Sequence, residues 1–265
     1  DKSKILLKKN SGNDFLWNIQ GLSYQHKGNY TQSVVSFEKA ILINSKNIAS
    51  KNNLANSYKY LKDFAKAEQY FNEILDIDSN YINALINLGN LKVDLNSFDE
   101  AITYLNKALK IDKNNESIYI NLANAYMGCG KFQKAKEILL TVLKMNPSLA
   151  RADKMLGDLN KNDDDADQHL NQMLIKLKEL NLNDEQKVSL YFAIAKKYDD
   201  KKEYHMSFEF LANGNKLQRK NINYNTKNYE TLSSGIKTYF SNFKYEQKTN
   251  HSNNKKVIFV LGMPR

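Results

Sequence analysis

The sequence predicts an all-α solenoid of helical hairpins, and three periodic series of residues predict it. Aromatic residues recur at Tyr30, Phe64, Phe98 and Phe132, each 34 residues after the last. Small residues keep the same step at Gly21, Ala55, Gly89 and Ala123, and again at Ser33, Ala67, Ala101 and Ala135. Four positions after each of the latter stands a large apolar residue: Phe37, Phe71, Leu105 or Leu139. A fixed period of this length marks one supersecondary unit repeated along the chain, whose bare apolar face the next copy must cover. The small residue lets two helices cross closely, and the large one fills the gap between units.

The elements follow in order. Residues 1–13 are a flank, and units lie at 14–47, 48–81, 82–115 and 116–149. The first unit reads Trp17-x2-Gln20-Gly21-x2-Tyr24, and the fourth closes at Pro147. This wording resembles the tetratricopeptide repeat, two antiparallel helices per unit stacked into a right-handed superhelix. Residues 150–187 form a degenerate fifth unit, opening Met155-Leu156-Gly157 and interrupted by the acidic run Asp163-Asp164-Asp165. A sixth unit at 188–221 carries Tyr191, Ala195, Tyr198, Tyr204, Ser207 and Leu211 in the expected places. Residues 222–254 are a connector: Leu232, Ile236, Tyr239 and Phe240 have helical spacing, and Glu246 to Asn254 is a polar linker. At 255–265 the run Val257–Leu261, closed by Gly262, reads as a buried parallel strand entering a loop, the first strand of an α/β domain. Without neighbours such a strand is expected to self-associate.

Composition narrows the function. The chain has 39 Lys and Arg against 29 Asp and Glu, a net charge of +10. Most of the excess lies in 188–265, with 14 basic against 6 acidic residues. A basic end attracts anions in general. No RNA-recognition or zinc-finger spacing sharpens it, so no specific nucleic acid is expected. One cysteine excludes a disulfide scaffold. No apolar run approaches the roughly 20 residues of a membrane span. Together these point to a cytoplasmic setting, although a chain beginning at Asp1 leaves a leader open.

The stretch from Leu190 to Asp200, then Tyr204, Ser207-Phe208, Gly214-Asn215-Lys216 and finally Val257 to Arg265, resembles the tetratricopeptide-repeat sulfotransferases of bacteria. In that family a repeat array precedes a domain that opens with a strand and Gly-Met-Pro-Arg-Ser-Gly-Thr. Two departures stand out: Ile194-Ala195 replaces Leu-Gly, and the sequence stops at Arg265 before Ser-Gly-Thr. The resemblance implies that Gly262, Met263, Pro264 and Arg265 begin the loop that wraps the phosphosulfate of 3′-phosphoadenylyl sulfate. Arg265 would then stabilise charge on the transferring sulfuryl group. The general base would lie beyond residue 265, so these residues hold no complete catalytic site. A Walker-type nucleotide site is disfavoured, because Gly-Lys-Ser/Thr is missing.

The repeat groove is the other candidate. Asn53, Asn87 and Asn121 recur at the repeat step, as do Asn56, Asn90 and Asn124, towards the inner surface of each first helix. A side-chain amide donates to a peptide carbonyl and accepts from a peptide N–H at once, so a column of them can hold an extended polypeptide without reading its side chains. The columns resemble the asparagine ladder of the O-linked N-acetylglucosamine transferases. Abundant Asn across the chain supplies the blander reading, solvated residues from coding bias. A Lys-plus-Asn carboxylate clamp is disfavoured, the matching positions being Asn18, Asn52, Ile86 and Ile120. The expected parent is therefore a sulfotransferase whose repeats hold a polypeptide; the alternatives are a non-enzymatic repeat scaffold and the repeat region of a glycosyltransferase. His26, His169, His205 and His251 are scattered, so no metal site is expected. Cys129 reads as an unremarkable thiol.

Overall fold

The computed structural model describes residues 2–159, 165–221 and 226–241, and every element among them is a helix. Four regular hairpins lie where the period places them: α2 Asp14–His26 with α3 Tyr30–Ile43, α4 Ile48–Tyr60 with α5 Phe64–Ile77, α6 Ile82–Asp94 with α7 Phe98–Ile111, and α8 Glu116–Gly128 with α9 Phe132–Met145. They are preceded by α1, Lys2–Lys9, within what reads in sequence as a flank; its Leu7 is buried. Much of the asparagine has local work. Asn13, Asn29, Asn47 and Asn115 are N-caps whose side chains accept from backbone N–H groups of the first turn.

Each hairpin turns through one residue in the left-handed region: Gly28, Lys62, Asn96 and Gly130, at φ of 71°, 65°, 59° and 72°. The next residue's N–H then reaches back to the first helix. Asn29 N donates to Tyr24 O, and Asp63 N to Tyr58 O, at 2.9 and 3.0 Å. This six-to-one bond satisfies a carbonyl that the helix end leaves orphaned. Between units lies the core. Phe37, Phe71, Leu105 and Leu139 are fully buried, as are Ala55, Ala67, Ala101, Ala123 and Ala135. The periodic residues are therefore the packing residues.

The regularity changes after α9. Helices α10 (Ala150–Leu159) and α11 (Asp165–Glu179) are followed by α12, Asp184–Asp200, and α13, Tyr204–Asn221. Here α10 packs chiefly against α12 and α9, and only lightly against α11, so the fifth unit is not a regular hairpin. The sixth unit opens one turn earlier than its period suggests. Asn183 and Gln186 form a reciprocal capping box, which moves the helix start to Asp184. Leu211, in the register of the buried Phe37 series, is 39% exposed rather than core.

These helices belong to a compact unit, Asp1–Gln218, into which most of α13 falls; a second unit spans Arg219–Arg265. A helix, α14, Thr226–Ser241, lies there, with Leu232 and Ile236 exposed. Most of the acidic run, the polar linker and the strand expected at 255–265 lie outside the described residues.

Candidate peptide-binding groove

The first helices of the hairpins set two rows of asparagine side by side, and the rows differ. Asn53 Nδ2 donates to Asn18 Oδ1 at 3.0 Å, and Asn87 Nδ2 donates to Asn52 Oδ1 at 3.0 Å. Both bonds join one repeat to the next. One amide hydrogen of each is thus committed to holding neighbouring first helices together. By the same spacing a third rung falls on Ile86 and Asn121, and an isoleucine has no amide to offer.

Asn56 and Asn90 face a concavity of about 380 Å³, which Asn87 also lines. Gln25, His26 and Lys59 complete much of its wall. All of the asparagines in both rows, including Asn121 and Asn124, are half-buried. Beneath the wall runs a short polar network. Gln25 Nε2 donates to Asn53 O at 2.9 Å and to Ser57 Oγ at 2.7 Å, and Ser33 Oγ lies 2.8 Å from Ser57 Oγ. This network ties α2, α3 and α4 together under the concavity.

Charge at this place is balanced. Lys59 Nζ pairs with Asp94 at 3.3 Å, bridging the second and third units. Tyr30 and Tyr60 stand at one edge with rings stacked, centroids 4.5 Å apart and planes 10° from parallel. Sequence reasoning missed both pairs. Tyr30 carried a packing signal that masked its role beside the groove, and nothing in the spacing links Tyr60 to it.

A second polar cluster, away from the groove, joins two helices. Asp153 is 1% exposed and accepts from Lys176 Nζ at 2.8 Å on both oxygens, with His169 Nε2 at 3.0 Å. This cluster, which scattered histidines did not foretell, ties α10 to α11. No group of three or more His, Cys, Asp or Glu among the described residues is placed to hold a metal ion. Cys129 is half-buried, its Sγ 3.4 Å from Tyr126 O. A more apolar cavity of about 360 Å³ lies among α10, α12 and α13, lined by Gly157, Phe192, Ala195 and Leu211. No helix among the described residues is long and apolar enough to cross a membrane. Gly262, Met263, Pro264 and Arg265 lie outside the described residues.

Stacked hairpins whose first helices line a polar groove define a helical-repeat scaffold. Tetratricopeptide-repeat family models match residues 16–47, 47–114 and 92–159, and the chain is a tetratricopeptide-repeat protein. No curated protein matches it. Among solved structures, a tetratricopeptide repeat protein from Parabacteroides merdae is similar at 18% identity and TM-score 0.62, covering 87% of this chain and 88% of its own. Pseudomonas aeruginosa PilF is similar at 17% identity and TM-score 0.60, over 86% and 99%. Yeast Tom70 is similar at 19% identity and TM-score 0.60, over 75% of this chain and 43% of its own. At these identities the likeness is one of fold.

Proposed function

We propose that the array is a protein-binding scaffold that holds an extended polypeptide along its first helices, with Asn56, Asn90 and Asn124 as the recognition row. Asn53 and Asn87 act instead as spacers that fix the distance between repeats. The observation that carries this reading is the polar concavity between the first three units, into which Asn56 and Asn90 face from successive helices. An amide there offers a peptide group both a donor and an acceptor. The test separates the rows. With peptides selected from a random display library, Asn56→Ala, Asn90→Ala and Asn124→Ala together lower affinity by about tenfold or more while the melting temperature holds. Asn53→Ala, at a residue that does not line the concavity, lowers the melting temperature instead. Equal affinity in the triple variant refutes the recognition row.

Sulfuryl transfer stands second. It rests on the sequence resemblance of residues 190–216 and 255–265, and the matching family models end at residue 159. Reading the gene past the Arg265 codon decides it. Ser-Gly-Thr continuing into a domain-sized frame supports binding of 3′-phosphoadenylyl sulfate by Gly262 to Arg265; unrelated sequence or a stop removes it.

A further inference from the structure

Three observations converge at the edge of the concavity between the first and second units. The one lysine on its wall, Lys59, is already bound to Asp94. The remaining lining is amide, imidazole and phenol: Gln25, His26, Asn56, Asn87, Asn90 and the two tyrosines. Tyr60 is 58% exposed although Tyr30 stacks on it. A ring with one face covered has its exposure on the other face and its edge. Tyr60 lines the concavity with Tyr30 stacked on it, so its ring is held in place while much of it stays exposed.

Given an array that holds a polypeptide, as proposed for the asparagine row, we infer that the groove takes an uncharged, extended segment carrying an aromatic side chain, whose ring extends the Tyr30–Tyr60 stack. A charged side chain entering here finds Lys59 already paired with Asp94 and otherwise amides, phenols and an imidazole, and leaves water with little compensation. Backbone recognition by Asn56 and Asn90 asks nothing of side-chain identity, so selectivity falls to the one shaped feature beside them. Parallel aromatic rings add favourable contact beyond the area they bury, and a ring already stacked loses little freedom when a third joins it.

The experiment is selection of random peptides of about 12 residues, long enough to span several units, on the full chain. Affinities of the winners are then measured at about 50 and 500 mM NaCl, either side of the range where screening removes surface attraction. The expected winners are uncharged and carry Phe, Tyr or Trp. Their affinity changes less than about twofold with salt, falls about fivefold to tenfold in Tyr60→Leu, and is kept in Tyr60→Phe. A melting temperature for Tyr60→Leu equal to that of the unaltered chain assigns the loss to binding. Winners that are charged and salt-sensitive, or indifferent to Tyr60→Leu but lost in the asparagine triple variant, overturn this inference and leave the groove standing. Winners indifferent to both sets of variants overturn the groove reading as well.

Discussion

Lys92 occupies the place that Tyr24, Tyr58 and Tyr126 hold in the other regular units. Its side chain is 9% exposed and lies between Glu68 at 2.6 Å and Glu100 at 2.8 Å. Burial pushes the ammonium towards neutrality, but hydrogen bonds to Glu100 and Glu68 outweigh it and leave the pKa above the usual lysine value. A raised lysine pKa adds stability that is complete below the ordinary value of 10.5 and is lost as pH climbs through the folded value. Lys92→Ala should therefore cost about 1–2 kcal/mol at neutral pH, the low end for a buried pair because both glutamates keep contact with water. Lys92→Met, which keeps the apolar length but cannot titrate, should cost less than Lys92→Ala, and the unaltered chain's advantage over it should shrink as pH climbs above 10.5. Urea unfolding at neutral and strongly alkaline pH checks both; a Lys92→Ala chain as stable as the original refutes the account. The gap in the tyrosine series is visible in the sequence, but a lysine there reads as a solvated residue. What makes it a core residue is two glutamates, 24 positions before and 8 after, brought together only by stacking. The asparagine rows show the same limit: their period is legible, but which row bonds to neighbouring repeats depends on the 35-residue pairings of Asn18 with Asn53 and Asn52 with Asn87.

At the scale of the element, each hairpin depends on its left-handed turn. Gly28 and Gly130 adopt it without strain, whereas Lys62, Asn96 and Lys202 carry a Cβ there. Lys62→Gly should raise stability by about 0.5–1 kcal/mol, since the relief of the left-handed strain exceeds the extra flexibility of an unfolded glycine. The helix crossing sets the opposite constraint. A Cβ on Gly89 would stand 2.6 Å from Leu105 Cγ, whereas on Gly157 its nearest neighbour is Lys197 Cε at 3.6 Å. Gly89→Ala should lose about 1–3 kcal/mol by overpacking, and Gly157→Ala should be tolerated. Thermal unfolding of the three variants in parallel gives the signs directly. Helix boundaries in the regular units follow the period because caps, turns and packing residues share it. The exceptions have local causes: α1 has too few residues to display a periodic pattern, and the start of α12 is moved by the Asn183–Gln186 cap.

For the whole repeat unit, the fifth repeat is where the regular hairpin gives way, and a buried polar cluster ties α10 to α11. Asp153 holds His169 and Lys176 across α10 and α11, beside the apolar contacts of Leu170, Met173 and Ile194. Repeat arrays are stable through nearest-neighbour interfaces, so a weakened interface divides the array. Asp153→Ala, which leaves a half-buried lysine and a buried histidine without their anion, should split unfolding into two steps, α11 detaching before the helices that α10 holds directly. A single cooperative transition in the variant would count against it. Nothing in the sequence announces this tie, because its members stand 16 and 23 residues apart across an insertion.

The six-to-one turn bonds have a last consequence, for the birth of the chain. Every substantial contact between described helices joins elements no more than two apart in chain order. Each hairpin is also closed by its own backbone, at Tyr24 to Asn29 and again at Tyr58 to Asp63. Such a molecule need not wait for its far end: contacts of short sequence separation form fast, and synthesis delivers them in order. Each repeat can thus settle onto its predecessor as it leaves the ribosome, which would keep the apolar face open to wrong partners to about one unit.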